Sequence, residues 1–149
     1  MANYDFNMDL PVAIETEKEV AQIMAKIYDA RILRFENSNK YDILARIKGK
    51  EYKFEIKEDF MTCKTGNVAL EFECRGSPSG IHTTEADFYI YKIHGKNGIH
   101  FYLFKIENIL KMVSDNPQTP IVNGGDKGSN SMNYLFKYET FIKYGKFMV

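Results

Sequence analysis

The sequence predicts a mixed α/β (α+β) domain in which helices flank one central mixed β-sheet. Three observations carry that expectation. Apolar residues recur at helical spacing over residues 16–30, they alternate with a period of two in several short runs between residues 40 and 105, and the runs of strands are framed by helical segments. A chain of 149 residues, 44% hydrophobic and 14% aromatic, has material for one such core, so residues 1–149 are read as a single domain.

The first element is the stretch TEKEVAQIMAKIYDA, in which Val20, Ile23, Met24 and Ile27 share a helix face. Thr16 followed by Glu19 fits a capping box, so a helix is expected to start at Thr16 and run to about Ala30. KYDILARI alternates Tyr41, Ile43, Ala45 and Ile47, and the Lys48-Gly49-Lys50 turn leads into EYKFEIKED, in which Tyr52, Phe54 and Ile56 alternate with charged residues. These two runs form a hairpin. After Thr65-Gly66-Asn67, VALEFEC makes a third strand, and RGSPSGIHTTEAD is a loop with a short helix expected near Thr83 or Thr84.

FYIYKIHG and GIHFYLFKI are aromatic, β-branched strands about a Gly-containing turn, and residues 106–113 read as a short helix. Residues 114–131 have lost apolar periodicity, and Pro, Gly, Asn and Ser cluster in them, so the weakest order is expected there. In NYLFKYETFIKYGKFMV the aromatics and lysines interleave in a way that fits strand or helix.

Composition excludes several function classes. Twenty basic and twenty acidic residues give a formal charge of zero, so nucleic acid can be held only by a local patch. Cys63 and Cys74 have neither zinc-site spacing nor the density of a disulfide scaffold, which suits a reducing, cytoplasmic setting. No apolar run is long enough to cross a bilayer, and the acidic N-terminal stretch is not a signal peptide, so no membrane partner is expected. No GxxxxGK[ST] or GxGxxG motif is present, which disfavours nucleotide-binding folds.

Chemistry enters through the strand EYKFEIKED. Its period of two sends Glu55 and Lys57 to one face, and the hairpin can bring Asp42 beside Glu55. Carboxylates sharing a sheet face repel one another, whereas a hard divalent cation takes one or two of them as oxygen ligands and leaves room for water and phosphate. The same charges would also serve as a solvated ion pair.

Asp42 followed, after a hairpin, by Glu55-Ile56-Lys57 resembles the D…(D/E)xK signature of the PD-(D/E)XK nuclease superfamily. A preceding helix bearing an acid, Glu19, the strand GNVALEFE and the loop SGIHTTEADFYIY extend the likeness to small phage-encoded nucleases and Holliday junction resolvases, over residues 15–93. Tyr41 stands where the signature has its nominal proline. The resemblance implies a restriction-endonuclease-like core and Mg²⁺- or Mn²⁺-dependent hydrolysis of DNA phosphodiester bonds. It implies Asp42 and Glu55 as metal ligands with the Ile56 carbonyl beside them, Lys57 as the residue that positions or activates water, and Glu19 as a further catalytic acid.

For DNA contacts the expectation falls on Lys48, Lys50, Lys53 and Lys64 near the hairpin, on Arg75 and Lys127, and on Ser79, Gly80 and His82 in the loop. Lys137, Lys143 and Lys146 among their aromatics are either a second phosphate-contacting surface or core aromatics with snorkelling lysines. Glu71 and Glu73 are read as sharing a strand face, and His94 and His100 as surface residues. A junction-selective enzyme would need two active sites and hence a homodimer. The competing reading is a non-catalytic nucleic-acid-binding module with a nuclease-like fold.

Overall fold

The computed structural model describes residues 6–36, 40–124 and 130–149, with side chains from residue 14 onward. Helix α1 spans Phe6–Tyr28. Thr16 therefore lies inside it, and the expected capping box is replaced by a tertiary bond in which the Thr16 hydroxyl donates to Glu58 Oε1 at 2.6 Å. Val20 and Met24 are fully buried, so the expected apolar stripe is the packing face.

The strands that α1 covers form a six-stranded mixed sheet in the order β1-β2-β3-β6-β7-β10. Strands β1 (Arg31–Phe35), β2 (Ile43–Ile47) and β3 (Lys50–Asp59) form an antiparallel meander. Lys48 at φ 52° and Gly49 at φ 80° make the two-residue turn of the β2–β3 hairpin, whose left-handed backbone suits the strand twist and is easiest for glycine. Beyond Phe54, β3 leaves β2 and pairs in parallel with β6 (Phe88–Gly95), which folds back antiparallel into β7 (Gly98–Lys105). The edge strand β10 (Lys146–Phe147) adds to β7.

One expectation needs correction. The strand after the hairpin, β4 (Asn67–Cys74), does not join the central sheet, because the short helix α2 (Thr62–Thr65) and Gly66 turn the chain away from β3. It belongs to a second, antiparallel sheet ordered β5-β4-β9-β8. The other members are β5 (Ser77–Pro78), β8 (Ile121–Gly124) and β9 (Ser131–Lys137). Strand β8 lies in the stretch expected to be least ordered, where pairing with β9 supplies what local propensity lacks; residues 125–129, with Lys127, lie outside the described part.

The C-terminal aromatic stretch is strand and helix in succession: β9, then α4 (Tyr138–Ile142), then β10. Helix α3 spans Ile106–Asp115, and the loop helix is a 3-10 turn at Gly80–His82, just before the threonines where it was expected. One core cluster joins α1 to Ile43, Phe54, Ile90 and Phe101. The other fills the space between the two sheets with Tyr89, Tyr91, Phe104, Phe136 and Phe141, and the Tyr91 hydroxyl fastens the sheets by donating to the Ala69 carbonyl at 3.2 Å. Among the described residues no helix is long and apolar enough to cross a membrane.

Candidate functional site

The point where β2 and β3 part company is held together by a side chain. The backbone N–H of Asp42 donates to the Phe54 carbonyl at 2.8 Å, and the next inward-facing N–H of β3, from Ile56, donates to Asp42 Oδ2 at 2.7 Å. A carboxylate thus takes the place of the missing strand partner and is aimed at Glu55-Ile56-Lys57. Lys57 Nζ lies 3.5 Å from Glu55 Oε1, with the Glu55 side chain 15% and the Lys57 side chain 37% exposed.

The helix brings a third carboxylate, and it is Glu17. Burial, reinforced by the charges of Asp42 and Glu55, raises the Glu17 carboxyl to about 7. Glu19 is directed elsewhere: it binds Lys92 Nζ at 2.7 Å, in a network with Glu58, Thr16 and His94. Two residues along a helix turn a side chain about 200°, so Glu17 and Glu19 cannot serve the same face. The missed signal was the spacing of Glu17, three and four residues before the buried Val20 and Ala21.

A fourth carboxylate comes from the second sheet. Glu71 is close enough to Glu55 to raise its carboxyl, and Ser79 Oγ donates to Glu71 Oε2 at 3.0 Å. A register shift between Glu71 and Glu73 sets the first opposite Asn133 and the second opposite Met132, so the two acids do not share a face. Gly80, at φ 54°, lies so close to Glu71 that a Cβ there would come within 2.2 Å of its carbonyl oxygen. Ser79 and Gly80 therefore hold Glu71 in place.

Asp42 and Glu55 thus face Lys57, with Glu17 and Glu71 close enough to act on or be acted on by their charges, and the local electrostatics are unfavourable. Burial raises Asp42 against the opposing pull of the Ile56 N–H and Lys57, and burial raises Glu55 against Lys57 with Asp42 and Glu71 adding to the rise. Beneath them Tyr89 is buried, and its hydroxyl makes no hydrogen bond of normal geometry among the described residues. Burial and the charges of Glu55, Glu71 and Asp42 push that phenol far above its ordinary range. Among the described residues no three His, Cys, Asp or Glu side chains are grouped tightly enough to hold a metal ion by themselves. Asp42 and Glu55 are two carboxylates, the number with which Mg²⁺ commonly combines several waters and substrate oxygens.

The basic residues expected to contact DNA are dispersed. Lys48 and Lys50 are exposed at the hairpin turn, and Glu55 is five residues further along β3, about 17 Å of strand. Lys50 and Lys53 lie over the rings of Tyr52 and Tyr41 at 5.4 and 5.3 Å. Lys64 and Arg75 are exposed at the end of α2 and at the turn after β4. His82 is exposed with its ring edge toward Phe72, while His94, expected on the surface, is half-buried, bonds Glu58 at 2.7 Å and stacks on Phe60.

No family model matches the sequence, and no curated protein matches it. Among solved structures, a bacterial homing endonuclease, I-Ssp6803I, is similar at a TM-score of 0.48 and 18% identity, over 70% of this chain and 72% of that one. The likeness is too distant to bear on function, which rests on the side chains that meet around Asp42 and Glu55.

Proposed function

We propose that this protein is a Mg²⁺- or Mn²⁺-dependent DNA endonuclease of the PD-(D/E)XK type. The observation that carries the reading is the convergence of Asp42, Glu55 and Lys57 where β2 and β3 separate, with Glu17 and Glu71 closing around them. Carboxyls raised by burial and by one another form a site whose charge calls for a cation. Asp42 and Glu55 are the ligands, with the Ile56 carbonyl beside them.

When bound, the ion supplies Lewis-acid polarisation of the phosphate and lowers the pKa of an attacking water. Lys57 places its ammonium beside the charge that develops on the phosphoryl oxygens and orients the nucleophile. Glu17, the half-buried carboxyl beside Asp42 and Glu55, would be the group placed to take up a proton from the attacking water. The Ile56 N–H keeps Asp42 from rotating away. The net change adds one water across one P–O bond.

The small fold leaves little surface for reading a long sequence, which favours recognition of DNA shape, including four-way junctions cut by a homodimer. The test is to incubate the protein with supercoiled plasmid, linear duplex, single strands and four-way junctions in Mg²⁺, Mn²⁺ or chelator. Cleavage that survives in both Glu55→Gln and Lys57→Ala overturns the assigned site. The alternative of a non-catalytic nucleic-acid-binding module draws support from the lack of a three-ligand group among the described residues. It predicts DNA binding without Mn²⁺ binding in a calorimetric titration.

A further inference from the structure

The candidate site gathers Asp42 and Glu55, with Glu17 and Glu71 near them, against the single ammonium of Lys57, so it repels a polyanion until a cation is present. In a chain of zero net charge, the attraction must come from a segregated patch. The end of β7, the start of α3 and the turn between α4 and β10 enclose a groove of about 440 Å³ lined by Lys105, Lys111, Lys143, Lys146, Asn108 and Tyr144, with no carboxylate in its wall. The nearby Asp115 pairs with Lys111 at 3.5 Å and accepts the Tyr144 hydroxyl at 3.0 Å. Lys105, Lys143 and Lys146 have no carboxylate partner among the described residues.

The walls of this groove are fixed. Gly145 sits against the buried Phe104 ring so closely that a Cβ would lie 2.6 Å from it, which pins the backbone between Lys143 and Lys146. Lys146 is paired to Leu103 in the sheet, and Tyr144 is anchored by Asp115. The groove's apolar floor, Phe88 and Leu103, packs on the cluster covered by α1, the helix that carries Glu17. One row of backbone pairs, Ile43, Phe54, Phe88 and Lys105, joins the start of β2 beside Asp42 to the groove, with Phe54 and Phe88 on the α1-covered face and Glu55 and Lys57 projecting from the other. Three strand spacings put the groove about 15 Å from the start of β2, within the span of a short duplex.

We propose that this groove holds the sugar–phosphate backbone of nucleic acid, flanking the segment presented to the carboxylate site. The inference rests on the nuclease reading for its choice of polyanion. Three unpaired ammonium groups contact phosphates, and Asn108 and Tyr144 supply neutral hydrogen-bonding groups in a wall that needs little ordering on binding. The groove sets affinity and its salt dependence, and the chemistry stays with Glu55 and Lys57.

The test is fluorescence anisotropy with a labelled duplex of about 30 base pairs, in chelator so that nothing is cut, from about 50 to 200 mM salt. The triple variant Lys105→Ala/Lys143→Ala/Lys146→Ala is expected to flatten the plot of log affinity against log salt by about 2 to 3 units and to weaken binding at least about tenfold at 100 mM. Lys96→Ala, at the β6–β7 turn, is expected to match the wild type. Duplex-induced shifts of the Asn108 side-chain amide in NMR spectra of the wild type are the second readout. An unchanged slope in the triple variant, no shift at Asn108, or equal competition by polyglutamate overturns the groove. Cleavage by wild type in Mg²⁺ alongside such a failure leaves the nuclease reading standing; a changed slope without cleavage does the reverse.

Discussion

The Asp42 carboxylate accepts, at 2.7 Å, the hydrogen bond that the Ile56 N–H would otherwise donate to a strand partner, and this sets it between the first paired residue of β2 and the Glu55–Lys57 segment. Sheet geometry and candidate chemistry are therefore one arrangement. Asp42→Ala should cost both a buried hydrogen bond, about 1 to 3 kcal/mol, and divalent-metal binding. Asp42→Asn, which keeps an acceptor for Ile56, should restore most of the stability and none of the metal binding, as measured by urea unfolding and Mn²⁺ calorimetry.

Lys57→Ala and Glu55→Gln should separate ligation from activation. Both are expected to lower plasmid cleavage by about 100- to 1,000-fold, the usual cost of removing one preorganised charge from such a site. Only Glu55→Gln should weaken Mn²⁺ binding. Equal Mn²⁺ affinity in wild type and Glu55→Gln would remove Glu55 from the ligand set.

Glu17 makes the apo protein pH-sensitive in a direction opposite to most carboxylates. Its carboxyl rises from 4.5 to about 7 on folding, so between those values the native chain holds a proton that the unfolded chain has released. Stability falls as the pH climbs through that window, and the full cost is present above it. Glu17→Gln should be more stable than wild type at about pH 8, by about 1 kcal/mol once solvent screening of a half-buried group is allowed for, and the gap should close below about pH 4.5. A gap of the same size at both ends, read by thermal melts, would contradict the placement of Glu17.

Divalent metal should act as a stabiliser with a matching pH dependence. At about 100 times its dissociation constant, Mn²⁺ is expected to add about 2.7 kcal/mol and to raise the melting temperature by about 5 to 10 °C near pH 8. Protons compete for the same raised carboxyls, so the rise should shrink near pH 5 and vanish in chelator. A shift independent of pH would place the metal elsewhere.

Gly80→Ala probes the support of Glu71. With φ at 54° and a Cβ within 2.2 Å of the Glu71 carbonyl oxygen, the substitution should cost at least about 2 kcal/mol in urea unfolding and displace the Glu71 backbone. Gly76→Ala, at φ 79° in open space, isolates the conformational part, and a cost equal to that of Gly80→Ala would deny the close approach.

Legibility in the sequence followed the range of the interaction. The Lys48-Gly49 turn and the period-two strands around it are local, and their hairpin has the expected form. Asp42, Glu55 and Lys57 meet because that hairpin is local too. Thr16 and Glu19 misled because the capping pattern is equally local, while the bond that claims Thr16 comes from Glu58, 42 residues away. Nothing near VALEFEC indicates that it will pair with β9 rather than with the hairpin, and Glu71 is aimed by that pairing and its bulge. The groove lysines are spread over residues 105–146 and become neighbours only through β7 and β10.

The chain passes back and forth between its two sheets: three strands to the first, two to the second, two to the first, two to the second, and a last one to the first. Neither sheet can be finished before the other is begun, which makes long-range closure the slow step of folding. Glu71 is set opposite Asn133, so it reaches its place beside Glu55 only when residues 131–137 have been synthesised and paired with β4. On a ribosome, the nascent chain would carry Asp42, Glu55 and Lys57 well before Glu71 had its place beside Glu55. Assembly order would thus leave the candidate site beside Asp42 and Glu55 unfinished until strands far apart in the sequence had met.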